Sequence, residues 1–203
     1  MTNDIVADQF PAVTAAAARR LMAAAVDSFS ERGYHATTTR DIATAAGMSP
    51  AALYVHFPSK AAVLAAISRN GHEQALALVE SAASGPGDPP ARMRVLVTEM
   101  AAWHATRHQI ARIVQYEINA LPDADYATVA DLRLRTERVV RALIAEGVAD
   151  EHFDCDARTA ARAVLSLCVD IARWYTAGST PKPAELGRRY ADLVISMLGG
   201  SRP

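Results

Sequence analysis

The sequence predicts an all-α protein, a small N-terminal three-helix head joined to a larger helical body. Three observations carry that expectation. Alternating β-branched runs of the kind that make half-buried strands are missing. Alanine, the strongest helix former, is abundant. Apolar residues recur every three or four positions along nearly the whole chain. At 203 residues and 51% hydrophobic, the chain can bury a sizeable core in one or two compact domains.

Residues 1–13, MTNDIVADQFPAV, read as a disordered arm. A first helix over 15–32 buries Ala18, Met22, Ala25, Val26 and Phe29 and stops at Gly33. Thr38 caps a second helix, with Asp41 completing a capping-box-like pair and Gly47 ending it. Ser49 caps a third, and Pro50 takes its first position, where the missing N–H costs nothing. Leu53 and Phe57 lie four apart and turn inward with Ile42, so these two helices cross over one small core. Two short helices joined by a tight Gly-containing turn, over 37–56, form a helix-turn-helix. Ser59 opens a long helix through Val63, Ile67, Leu76 and Val79 to about Ala83.

The stretch SAASGPGDPP, 81–90, offers almost nothing to bury and reads as the linker. Helices are then expected near 91–105, 107–120, 124–147, 156–177 and 183–198. Gly147 is the expected stop of the third, Asp156 the cap of the fourth and Gly178 its end; Pro183 starts the last. The expected division is an arm over 1–13, a head over 14–74 and a body over 75–203.

Formal net charge is −1, which is no general nucleic-acid coat. Between Ala15 and His72, however, six cations face three acids, a local +3. Cys155 and Cys168 lie on apolar helical stretches and read as buried free thiols. No run reaches the roughly 18 apolar residues of a membrane span. The acidic N-terminal residues do not resemble an export signal, so a cytosolic protein is expected.

The segment Phe29-Ser30-Glu31-Arg32-Gly33-Tyr34, with Thr37-Thr38, Asp41-Ile42-Ala43, Ala46-Gly47-Met48-Ser49, Leu53-Tyr54, His56-Phe57 and Ser59-Lys60, resembles the TetR family of transcriptional repressors. The match covers about residues 15–65. The resemblance implies a homodimer whose heads bind a palindromic operator, with an effector pocket and dimer interface in the body. Ala51 and Ala52 depart from the usual Gly and Thr. Arg173-Trp174-Tyr175, Gly178 and Gly187-Arg188-Arg189-Tyr190 through Leu198-Gly199-Gly200 resemble an actinobacterial branch. Its members regulate sterol or fatty-acid catabolism in response to CoA thioesters.

On the head, Thr38 and Thr39 sit at a helix start, where hydroxyls and backbone N–H groups suit a phosphate. Arg40 points away from Ile42, toward a base edge or phosphate. Ser49, Pro50, Ala51 and Ala52 are small enough for close approach to a groove, Tyr54 and His56 place polar aromatic tips outward, and Lys60 would neutralise a phosphate. The second helix of such a motif enters the major groove of double-stranded DNA.

In the body, Met100, Trp103, Ile113 and Trp174 mixed with His104, Arg112, Gln115, Tyr116, Asn119 and Arg173 have the character of a small-molecule site. Arg112 and Arg173 suit an anionic effector, or equally Glu117 and Asp170 along their own helices. Val164, Leu167, Ile171, Leu186, Tyr190, Leu193, Val194 and Met197 load the last two helices on more than one face, as a four-helix dimer interface requires. His104 and His108 have ligand spacing but no third partner nearby, so no metal is expected. No catalytic constellation or cofactor motif is present. The reading is a ligand-responsive repressor, with an apolar effector such as a CoA thioester. A regulator without effector, an activator, and an α-helical carrier or enzyme stand as alternatives.

Overall fold

A computed structural model describes Phe10 and residues 13–199, and among them there are nine α-helices and no strand. The helices are α1 (Ala16–Arg32), α2 (Thr39–Ala45), α3 (Pro50–His56), α4 (Lys60–Ala83), α5 (Pro89–Thr106), α6 (His108–Tyr116), α7 (Asp123–Ala149), α8 (Ala157–Trp174) and α9 (Pro183–Met197). Most of the arm expected over 1–13 lies outside the described residues. Phe10 departs from that expectation: its ring is buried in the core around α1, and its carbonyl accepts from the Val13 N–H.

The described chain forms two compact units. The first holds the residues up to His72 together with Gln109–Val129; the second holds Glu73–His108 and the chain from Ala130 onward. Segment 109–129, expected in the body, packs within the first unit. The reason is apolar: Ile110, Ile113, Val114, Leu121 and Val129 share a core with Met22, Phe29, Ile42, Leu53 and Leu64. The second unit is centred on Met93, Leu96, Val97, Met100, Ile144, Val164, Cys168 and Val194.

Local chemistry sets the helix ends. Gly33 takes φ +81° and its N–H returns to the Phe29 carbonyl, closing α1. Thr38 and Asp41 make a full capping box, Ser49 accepts from the Ala52 N–H, and Asp156 accepts from the Thr159 N–H. Ser59 does the same for α4 through the Ala62 N–H. Three expected boundaries differ. The helix expected over 107–120 is α6 and a separate 3-10 turn at Ile118–Ala120. Gly147 does not stop α7, which continues to Ala149. Its missing side chain instead admits the Phe153 ring, which would lie 2.2 Å from a Cβ there. Nor does Gly178 end α8: the helix stops at Trp174, and Gly178 serves the following turn at φ +88°.

Within the second unit α9 packs along α5, and Gly187 makes the approach possible. A Cβ on it would sit 2.3 Å from the Thr98 carbonyl oxygen. Cys168 is buried and Cys155 half-buried, both as free thiols. Burial pushes the Cys168 thiol up to about 12. No single helix among the described residues is long and apolar enough to cross a membrane.

Candidate nucleic-acid interface

The face outside the α2–α3 pair is built by short-range forces. Ile42, Ala43 and Leu53 are fully buried beneath it, which turns the other side of each seven-residue helix outward. The Thr38 hydroxyl accepts from the Asp41 N–H (3.1 Å) and donates to Asp41 Oδ2 (2.7 Å). The hydroxyl's donation, with a second from the Thr38 backbone N–H (2.8 Å), holds the Asp41 carboxyl below the usual aspartate range. The backbone from α1 to α2 is pinned by Thr37, whose hydroxyl reaches the Ser28 (3.1 Å) and Gly33 (2.8 Å) carbonyls. Arg20 donates to the Ala46 carbonyl (2.6 Å), tying α1 to the end of α2.

On the outer side, Thr38, Arg40, Ser49, Pro50, Ala51, Tyr54 and His56 are exposed, while Thr39 and Ala52 are half-buried. Thr39 Oγ1 and the Tyr54 hydroxyl meet at 3.1 Å, so one hydrogen bond links the two helices across this face. Among the described residues no carboxylate pairs with Arg40. A fixed cation beside polar hydroxyls and small side chains is suited to phosphates and base edges.

Lys60 has a different place from the one its position suggests. Its ammonium donates to the carbonyls of Tyr34 (2.7 Å), Thr37 (2.7 Å) and His35 (3.3 Å) and stands 4.3 Å from the Tyr34 ring centroid. All three protons are directed at the α1–α2 connection, so this residue braces the motif. Val55 shows the reverse. It is a β-branched residue 81% exposed on α3, available to touch a thymine methyl. Spacing hid it: inward Leu53 and Phe57 leave Val55 on the outer face only once the helix is fixed.

The residues expected to bind an effector divide between the two units. Met100, Trp103, His104, Arg173 and Trp174 belong to the second. Met100 is core, and its carbonyl lies 2.9 Å from His104 Nδ1. The Trp103 ring packs edge-on against His104, with centroids 4.9 Å apart. Arg173 is drawn into a two-point pair with Asp170 (2.7 and 3.1 Å). Trp174 is 43% exposed. Arg112, Ile113, Gln115, Tyr116 and Asn119 lie in the first unit, where Ile113 is head core and Tyr116 and Asn119 are exposed.

Four of the expected interface residues, Val164, Ile171, Leu186 and Val194, are filled into the protomer's own core. Amphipathic spacing alone could not distinguish the two faces. Leu193 and Met197 remain exposed, and Leu167 and Tyr190 half-buried.

The capped helix pair, its buried seam and its polar outer face define a helix-turn-helix DNA-binding unit on an all-helical body. Residues 21–67 match the model of bacterial regulatory proteins of the tetR family, and residues 86–198 match the tetracyclin repressor-like C-terminal domain. The chain belongs to the TetR family of transcriptional regulators; it is not an enzyme. It is 28% identical to the HTH-type transcriptional repressor KstR2 of Mycolicibacterium smegmatis, across 95% of each chain. A tetR-family regulatory protein from Rhodococcus RHA1 superposes with a TM-score of 0.87 at 37% identity, covering 93% of this chain and all of that one. The ketosteroid transcriptional regulator KstR2 of Mycobacterium tuberculosis gives 0.81 at 25%, covering 92% and 96%.

Proposed function

We propose that this protein is a cytosolic homodimeric repressor that holds a palindromic operator and is released by a largely apolar small molecule. The observation that carries the reading is the outer face of α2 and α3, where Arg40 has no carboxylate partner among the described residues beside the Thr39–Tyr54 bridge. In this mechanism α3 enters the major groove with its small N-terminal residues leading. Arg40, Tyr54, Val55 and His56 supply contacts to bases and phosphates. Two heads read half-sites about 34–36 Å apart. The exposed apolar residues Leu193 and Met197, with Leu167 and Tyr190 beside them, are the surface proposed to meet the second copy.

Release requires an effector that binds one of two global states better than the other. Helix α4 has residues in both units, so its tilt is the proposed carrier of the signal. The effector class favoured is an acyl or steroid-like CoA thioester. The resemblance to a ketosteroid regulator supports it, as do the Trp103–His104 and Trp174–Tyr175 aromatic pairs of the second unit.

The experiment is operator selection from random duplexes by the purified protein. A palindrome should emerge, and Arg40→Ala should weaken binding by about 5- to 100-fold, as loss of a base contact does. Leu193→Arg should yield folded monomer with much weaker operator binding. Selection without a consensus, or an unchanged Arg40→Ala variant, would remove the DNA-reading role from this face. Failure of acyl-CoAs, free fatty acids and steroid thioesters to release bound operator would leave a repressor with a different effector.

A further inference from the structure

Among the described residues Arg107 is a cation without an anion. It sits at the C-cap of α5, where the backbone leaves the helix at φ −108° and ψ 29°. Its Nε is buried and meets no hydrogen-bond acceptor. Among the described residues no carboxylate pairs with it. By contrast Arg92, Arg94, Arg162, Arg173 and Arg189 of the same unit each face one. Along the sequence its nearest acids are Glu99 and Glu117, too far apart on the helices for an i±4 pair. What it does have is a ring: the guanidinium carbon stands 5.4 Å from the Trp103 centroid. Burial alone pulls its pKa below the usual arginine value, with no compensating charge.

Arginine does not escape such a position by losing its proton. A half-buried guanidinium with an unmet N–H therefore carries a desolvation cost that the surrounding protein groups do not relieve. The chemistry that relieves it is an oxyanion, carboxylate or phosphate, two of whose oxygens take the guanidinium fork. The surroundings suit an apolar ligand body. On one side the Trp103 ring packs on His104; on the other His108, the residue after Arg107, lies 6.1 Å from the Tyr175 ring, which in turn meets Trp174 at 5.9 Å. Arg173, the other cation suggested in this unit, already holds Asp170.

We propose that Arg107, backed by the Trp103 ring, is the oxyanion anchor of the effector site, taking the carboxylate or phosphate of an otherwise apolar ligand. The proposal rests on the effector-responsive reading above and names the residue that selects the ligand's charge. The aromatic surface from Trp103 to Trp174 takes the apolar part, and an uncharged analogue of the same chain length loses the anchor.

Arg107→Met removes the charge while keeping the length, and it separates anchoring from a merely structural role. With no partner left behind, the unliganded variant should melt at or above the wild-type temperature. Trp103 stands beside the guanidinium, so the protein's tryptophan fluorescence, with Trp174 retained, reports occupancy for decanoyl-CoA, CoA, decanoate and decanol. Decanoyl-CoA or decanoate should bind at least about tenfold more weakly to Arg107→Met, as loss of a charge-assisted contact implies. Decanol should bind both proteins alike. Dependence with decanoate assigns a carboxylate; dependence with decanoyl-CoA and CoA only assigns a phosphate. An unliganded Arg107→Met that melts several degrees lower, or one that binds the anions as wild type does, overturns the anchor. Binding of none of the four probes overturns it too. Operator binding by the same preparations reports independently whether the repressor reading survives.

Discussion

Replacing Gly187 with alanine sets two known effects against each other, and the structure says which one wins. In a helix interior Gly→Ala gains about 1 kcal/mol of propensity. The added Cβ, however, would stand 2.3 Å from the Thr98 carbonyl oxygen, 3.0 Å from its carbonyl carbon and 3.1 Å from its Cα. A carbon approaching a carbonyl oxygen normally stops near 3.3–3.6 Å, so α9 must withdraw from α5 by about 1 Å. Backbone cannot swing aside as a side-chain tip would. Overpacking of this kind costs about 1–3 kcal/mol, and the shift here is of backbone, so the cost lies toward the upper end and the net change is a loss of up to about 2 kcal/mol. For a chain of this size that lowers Tm by up to about 8 °C. Gly71 supplies the control: it lies inside α4, and a Cβ there meets nothing within 4 Å. Gly71→Ala should raise Tm by about 2–4 °C on propensity alone. Thermal melts by circular dichroism, run side by side, decide the matter. If Gly187→Ala rises as Gly71→Ala does, the close approach of α9 to α5 is not real. Because Met100 and Trp103 stand on the same α5, a Gly187→Ala protein should also bind effector more weakly.

Two further outcomes follow from the head and the caps. Lys60→Met removes three bonds to carbonyls, so it should cost about 2 kcal/mol of stability in chemical denaturation. It should leave the salt dependence of operator binding unchanged, whereas a lost phosphate contact would lower that slope by about 1. The carboxyls of Asp41 and Asp156 are held low mainly by hydrogen bonds to Thr38 and Thr159. A depressed folded-state pKa means the contribution is complete above the unfolded value near 3.8. It fades as pH falls through the folded value. Asp41→Asn and Asp156→Asn should therefore be less stable than wild type at pH 7. The gap should close in acid unfolding below pH 3.8, and a gap constant down to pH 2 would contradict the capping origin.

The helix-turn-helix was legible because its determinants are local. Thr38 with Asp41, Gly47 at φ +66°, Ser49 and Pro50 act within one turn of where they sit, so spacing alone places the motif. The all-α class was legible for the same reason, since helical periodicity is written every three or four residues. Other features depended on what arrives from elsewhere in the chain. That Lys60 braces the head follows only from residues 23 to 26 positions away presenting their carbonyls to it. Gly147 looked like a helix stop until Phe153 filled the space it leaves. Val164, Ile171, Leu186 and Val194 looked like interface because a helix apolar on two faces gives no sign of which face its own protomer covers. Arg107 carried a faint sequence signal, the lack of any acid between Glu99 and Glu117. Its meaning waited on the fold, because only packing decides whether a lone arginine reaches water or is buried against a tryptophan with its Nε unmet. Sequence by itself thus determined what short-range backbone chemistry determines: the class, the caps and the motif. Tertiary structure alone decided the partners of charges and the covering of faces, since desolvation and pairing are properties of neighbours that the chain brings together only on folding.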